Sequence, residues 1–194
     1  MNHLRPLPVL AALALLLATC KPDSPPRPLQ DRFYNEGAEA GTGLPDYWYY
    51  SEGDSLAAGA ALWSGAAYEG TRCLKLSRTT EDPMHEYWGQ TFAQVYRRNK
   101  AMVLRVFIKT EAVTGHGVAL MLRGDDAFEA RGEAEAFATT QGQILIAGTQ
   151  DWTEYSLRLP DGFDGQIQSV SLYLVLLPEA TGTVYFDQVS LTEE

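Results

Sequence analysis

Cysteine is nearly absent: the 194 residues hold two, Cys20 and Cys73. With Cys20 committed elsewhere, as argued below, no intramolecular disulfide can form, and the fold has to hold by burial rather than by cross-links. Histidine is almost as scarce, and beyond His3 only His85, beside Glu86, and His116, between two glycines, remain. Neither belongs to a His-x-x-x-His pair, and the chain has no Gly-x-Ser-x-Gly and no phosphate loop, so no nucleophile, metal-hydrolase or nucleotide motif supports catalysis. A carboxylate pair for glycoside cleavage needs only nearness in space, which keeps a glycan-active enzyme open as the third-ranked reading. Basic residues are few, with 15 Lys+Arg against 25 Asp+Glu and a net charge of −10. No cluster of them offsets that field, which excludes nucleic acid as a partner and disfavours polyanionic glycans.

A long hydrophobic run is also lacking. The opening MNHLRPLPVLAALALLLATC joins a short basic start at Arg5 to an apolar stretch, Val9 to Leu17, and then small residues, the layout of a secretory signal. The stretch falls short of the ~20 residues that span a bilayer core. Leu17-Ala18-Thr19-Cys20 resembles the lipobox of bacterial lipoproteins, which implies cleavage before Cys20, lipid on its thiol and attachment to a membrane surface. An ordinary secretory signal is the alternative. Lys21 after the cysteine, rather than Asp, points by analogy with other lipoproteins to the outer membrane rather than the inner. Removing residues 1–19 takes away one Arg and no acid, leaving 14 Lys+Arg against 25 Asp+Glu and a charge of −11.

The expected organisation is a signal peptide over 1–19, a lipidated cysteine and tether over 20–32, and one domain over 33–194. Residues 21–32, KPDSPPRPLQDR, carry four prolines and no apolar periodicity. Near polyproline II at about 3.1 Å per residue they reach roughly 35 Å. From Phe33 onwards apolar residues alternate. Met102, Leu104, Val106 and Ile108 interleave with Val103, Arg105, Phe107 and Lys109, and Val118–Leu122, Tyr155–Leu159 and Val170–Leu176 repeat the period of two. This predicts an all-β sandwich or barrel. Ser169–Leu177, apolar on nearly both faces, reads as a central strand. Asp125–Thr140, rich in Ala and Glu, is expected to be a long loop with at most one helical turn.

Four stretches in order resemble carbohydrate-binding modules of the galactose-binding-like jelly-roll type. They are Asn35-Glu36-Gly37-Ala38-Glu39 with Gly43–Trp48, Gly70–Leu76, Gly148–Tyr155 and Gly182–Leu191. The resemblance implies a jelly-roll β-sandwich and a structural calcium ion held by Glu39, by Asp187 and by carbonyls of the loop before the early strand, since calcium takes six to eight hard oxygens. Two positions depart from the family: Ala38 stands where a phenylalanine is usual, and Gln188 replaces the second acid of an Asp-Asp pair. The alternative for Glu39 and Asp187 is that they are surface acids. Trp48 and Trp152 occupy core-like positions in the family.

Aromatic residues are plentiful, and rings stack on the apolar faces of sugars. Trp63, Tyr87 and Trp88 are candidates, with Gln90 on the same strand as Tyr87 and Trp88; alternation sends one of those two rings to the core and the other outward. Arg123, ending a strand beside Asp125, can grip hydroxyls by charge-assisted hydrogen bonds, although a polar strand end would look the same. The expected activity is non-catalytic binding of a neutral or weakly charged glycan at the cell envelope. The second-ranked reading is a protein-interaction or assembly domain of an envelope complex.

Overall fold

The computed structural model describes residues 32–42, 44–51, 61–93, 100–126, 134–163 and 167–194, without the side chains of 61–64. The signal, Cys20 and nearly all of the tether lie outside the described residues. All regular elements among the described residues are strands: β1 (Tyr49–Tyr50), β2 (Ala61–Ser64), β3 (Cys73–Arg78), β4 (Glu86–Phe92), β5 (Met102–Asp125), β6 (Ala136–Thr139), β7 (Ile146–Leu159), β8 (Ser169–Leu176) and β9 (Gly182–Glu193).

Strand β5 organises the molecule. Its first half pairs with β9 on one side and β7 on the other. Its second half pairs with β8 and β6. Between them the ladder slips register repeatedly, and Ala112, Gly115 and Gly117 take positive φ. Such bulges bend a strand and let it pass from one sheet to another. The ladder therefore runs β1-β4-β8-β5-β9-β3-β2, with β5 shared by two facing layers. The expected jelly-roll sandwich is the architecture found.

Period two explains the core. Met102, Leu104, Val106 and Ile108 of β5 are buried, as are Val118, Leu120 and Leu122, and they pack with Leu172, Leu174 and Leu176 of β8 and Val184 and Phe186 of β9 in one cluster. Strand β8 lies between β4 and β5 and is buried on both faces, as its unbroken apolar run requires. At roughly 1.5–3 kcal/mol per buried large aliphatic or aromatic side chain, this cluster is the main stabilising term for a sandwich whose Cys73 is in no disulfide.

The segment expected as a loop after Asp125 departs from expectation, because Ala136–Thr139 forms β6 on the outer edge of β5. Alanine and glutamate are poor strand formers, but an open edge of backbone N–H and C=O groups recruits a partner regardless of propensity. Trp48 is buried, with its indole N–H donated to the Asn35 carbonyl at 2.9 Å. Trp152 is not in the core. It stands half-buried on the outer face of the β9-β5-β7 layer, edge-on to Tyr68 and near Tyr185, because Tyr155, Leu157 and Leu159 face inward and alternation turns the even-numbered residues of that stretch outward.

Candidate functional site: the open face of the β4-β8-β5 layer

The alternation of β4 decides which of its residues reach solvent. Trp88, Gln90 and Phe92 point inward, and Tyr87, Gly89 and Thr91 outward. Trp88 is fully buried, tilted against Tyr50, and its indole N–H donates to the Lys75 carbonyl at 3.0 Å. It cannot stack on a ligand. Gln90 is equally buried and is spent on the backbone of Tyr34, accepting from its N–H at 3.3 Å and donating to its carbonyl at 2.7 Å. Both residues leave the glycan-binding set: burying a glutamine requires that its amide be satisfied, and the N-terminal segment satisfies it.

Tyr87 remains, and the structure surrounds it with rings that sequence reasoning missed. Tyr173 of β8 meets it edge-on at 5.2 Å and Tyr49 of β1 at 6.4 Å. Gly89 makes room for Tyr49, because a Cβ there would lie 2.7 Å from the tyrosine ring. The Tyr49 hydroxyl bonds Thr91 at 3.0 Å, and Thr91 in turn bonds Ser171 at 2.8 Å. Burial is the chief cause that pushes the Tyr49 phenol well above its ordinary pKa, so it serves as a fixed neutral hydroxyl.

Beside the rings opens a depression of about 290 Å³ lined by Tyr87, Tyr173, Met121, Arg123, Phe137 and His85 among others. Arg123 is clamped by Asp125, whose two oxygens accept from Nε and Nη2 at 2.8–3.0 Å. Those hydrogen bonds are the first cause of the raised Arg123 pKa. Asp125 itself is buried, so it positions the guanidinium rather than meeting a ligand. Trp63 places its backbone on β2 opposite Leu74, away from this layer; its side chain lies outside the described residues.

Glu39 and Asp187 come together on another part of the molecule, the loop before β3. Asp187 accepts from the N–H groups of Tyr68 and Glu69 at 2.7 and 3.1 Å. Glu39 accepts from the N–H groups of Thr71 and Arg72 and from the Thr71 hydroxyl at 2.6–2.9 Å. Burial is the largest cause raising the Asp187 pKa, with the charge of Glu39 adding to it. Two carboxylates on one loop fit calcium's preference for hard oxygen. In this arrangement loop N–H groups face both acids, and no group of three or more His, Cys, Asp or Glu side chains that could hold a metal is found among the described residues.

The outer layer carries its own aromatic group. Tyr68 stacks on Phe107 at 3.9 Å, and Lys75 and Lys109 each lie within 6 Å of the Tyr185 ring.

No protein-family description and no curated protein matches the chain. Solved structures do. TmCBM61, determined in complex with β-1,4-galactotriose, is similar with a TM-score of 0.55 and 15% identity, over 85% of this chain and 99% of that one. A CBM4 structure gives a TM-score of 0.52 and 17% identity, over 84% of this chain and all of the other. The CBM22-1 xylan-binding domain from Paenibacillus barcinonensis Xyn10C gives 0.50 and 14%, over 81% and 90%. The chain thus shares the β-sandwich fold of carbohydrate-binding modules. At these identities the likeness is one of fold, and ligands have to be argued from the site.

Proposed function

We propose that this protein is a non-catalytic glycan-binding domain, carried on lipid at Cys20 and displayed from the outer membrane of the cell envelope on a proline-rich tether. The observation that carries the glycan reading is the convergence of Tyr87, Tyr173, Met121 and Phe137 with a clamped Arg123 in one open depression. Rings and thioether supply flat apolar contact for sugar faces, and the guanidinium supplies hydrogen bonds. A neutral or weakly charged ligand suits a domain with net charge −11 after removal of the signal. The fold shared with modules solved with a galactotriose or described as xylan-binding supports the same class.

The test is a glycan array probed with the lipid-free Cys20→Ser protein, followed by titration of Tyr87→Ala and Tyr173→Ala against any glycan that binds. Binding by the wild-type sequence that both substitutions abolish without loss of folding supports the reading. Wild-type binding that both variants retain refutes the site.

A second reading, docking of an envelope protein, is favoured by the outer-layer group of Tyr68, Phe107, Trp152 and Tyr185 with two lysines, because Tyr68 remains 46% exposed. Aromatic residues exposed beside cations are typical of protein-recognition patches. Retention of partners from envelope extracts by the wild type but not by Tyr68→Ala would favour it.

A further inference from the structure

The face just described does not end at Val175. The outward series of β8 continues into Leu177, the residue after the strand, and Ala119, Val175 and Leu177 form one buried apolar cluster against Tyr87, Met121 and Tyr173. Val175 lines the first depression and Leu177 a second of about 440 Å³, whose walls include His116, Gln141, Gln143, Ile144 and Leu145. Two residues along a strand separate the two floors, a step of about 7 Å. From Arg123 at one end to Gly117 at the other, six residues of β5 span about 20 Å.

A bulged stretch of β5, the turn between β6 and β7 and the residue after β8 build the second depression, and glycine lets their backbones meet. Gly115 and Gly117 flank His116 with positive φ. A Cβ at Gly115 would lie 2.7 Å from the Glu179 carbonyl, and one at Gly117 would lie 2.3 Å from that of Ile146; no other residue permits that approach. The turn that carries Ile144 and Leu145 is braced from below. The N–H groups of Gln143 and Ile144 donate to the Thr140 carbonyl at 3.0 Å each, the Gln143 amide donates to the Thr139 carbonyl at 2.8 Å, and the Thr140 hydroxyl accepts from the Leu120 N–H at 2.9 Å. On this fixed turn Ile144 and Leu145 remain 44% and 70% exposed. The walls offer two amides, an imidazole and aliphatic side chains, with no Lys or Arg among them. That chemistry recognises an uncharged ligand rich in hydroxyls with apolar faces, and rejects an anion.

We propose that this end depression is a second subsite, taking the distal residues of a neutral oligosaccharide that runs along β8 from the Arg123 depression. The inference rests on the glycan reading above and extends it from a short ligand to a chain of several sugars. A site preformed by braced loops binds without an ordering cost, so each added sugar contributes to affinity until the second depression is filled.

Isothermal titration of the detergent-solubilised mature protein with β-1,4-linked galacto- and xylo-oligosaccharides of two to six residues tests it. In the series that binds, affinity is expected to rise about tenfold from tri- to hexasaccharide, and the double variant Ile144→Ser, Leu145→Ser is expected to lose that rise while keeping the trisaccharide affinity and the melting temperature. A trisaccharide that binds, is lost in Arg123→Ala and shows no gain with length overturns the second subsite and leaves the glycan reading standing. Failure of the wild type to bind any member of either series overturns the second subsite as proposed; failure on the glycan array as well overturns the glycan reading.

Discussion

Glu39 and Asp187 take hold of the two ends of one loop: Asp187 accepts the N–H groups of Tyr68 and Glu69, and Glu39 those of Thr71 and Arg72. Between them Gly70 bends with φ of +79°, where a Cβ would fall 2.2 Å from a Glu39 oxygen. The two acids join the opening segment and the closing strand to the approach of β3.

Calcium between these carboxylates would relieve their mutual repulsion, provided the loop turns carbonyls inward. We expect the melting temperature to rise with free calcium in the wild type and not in Glu39→Gln, by the equivalent of ~2.7 kcal/mol at a hundredfold excess over Kd. Equal melting in calcium and in chelator means that hydrogen bonds alone hold the loop.

The same pair sets an acid limb. Hydrogen bonding from the Thr71 hydroxyl, assisted by the loop N–H groups, holds the Glu39 carboxyl below its ordinary value of 4.5. Its contribution is therefore complete above that value and disappears as pH falls through the lower, folded one. Asp187 is shifted up, chiefly by burial, so its charged form opposes folding and protonation relieves the penalty. Urea unfolding of the wild type and Glu39→Gln between about pH 3 and pH 7 should show the difference between them shrinking towards low pH. A constant difference would mean that Glu39 acts by shape and not by charge.

Tyr87→Ala and Trp88→Ala, neighbours on β4, should behave oppositely. Trp88→Ala removes a fully buried ring and is expected to cost about 3–5 kcal/mol through the cavity it leaves. Tyr87→Ala should melt within a few degrees of the wild type and lose glycan binding. Circular dichroism melts paired with titration distinguish the two, and the assignment of faces fails if Tyr87→Ala is the less stable protein.

Arg78 offers a purely structural contrast. Its guanidinium is buried against Glu86 at 3.1 Å and donates to the carbonyls of Asp82, Met84, Leu177 and Ala180 at 2.8–3.3 Å. Arg78→Met strands Glu86 and those carbonyls, and is expected to cost about 3–5 kcal/mol. Denaturant midpoints measure this. A loss under 1 kcal/mol would show that water replaces the guanidinium at little cost.

Asp125→Asn should weaken glycan binding about as much as Arg123→Ala, because it leaves the guanidinium with one fixed acceptor oxygen instead of two. Restored affinity in Asp125→Glu would be unexpected, since the longer side chain does not fit the buried position. For the anchor, Cys20→Ser is expected to move the protein from the membrane fraction to the soluble one; retention in the membrane fraction would place the anchor elsewhere.

Much of this was legible in the chain. The alternation from Met102 to Lys109 appears in the structure with only Val103 of the outward series buried, and the double-sided apolar run of β8 implied its central place. For Tyr87 and Trp88, period two established that they part company but not which way, because the deciding group is Gln90, a polar residue turned inward by a hydrogen-bond partner 56 residues away. Tyr173 carried a faint signal, being the one ring in an aliphatic strand. Tyr49 carried none, since its place depends on a glycine across the β1–β4 ladder. The alternation of Tyr155, Leu157 and Leu159 already turned Trp152 outward, against the core-like position that the family resemblance implied.

The Gln90 clamp on Tyr34 has a mechanical consequence. Gln90 holds the chain where it enters the domain, on the inner side of β4, while Tyr87 faces outward three residues along the same strand, about 10 Å away. With the protein tethered from its N-terminal side and a ligand held at Tyr87, tension between anchor and ligand would cross the width of β4 and be borne in shear by its seven-residue ladder with β8. The β3-β9 half of the sandwich would carry little of that load.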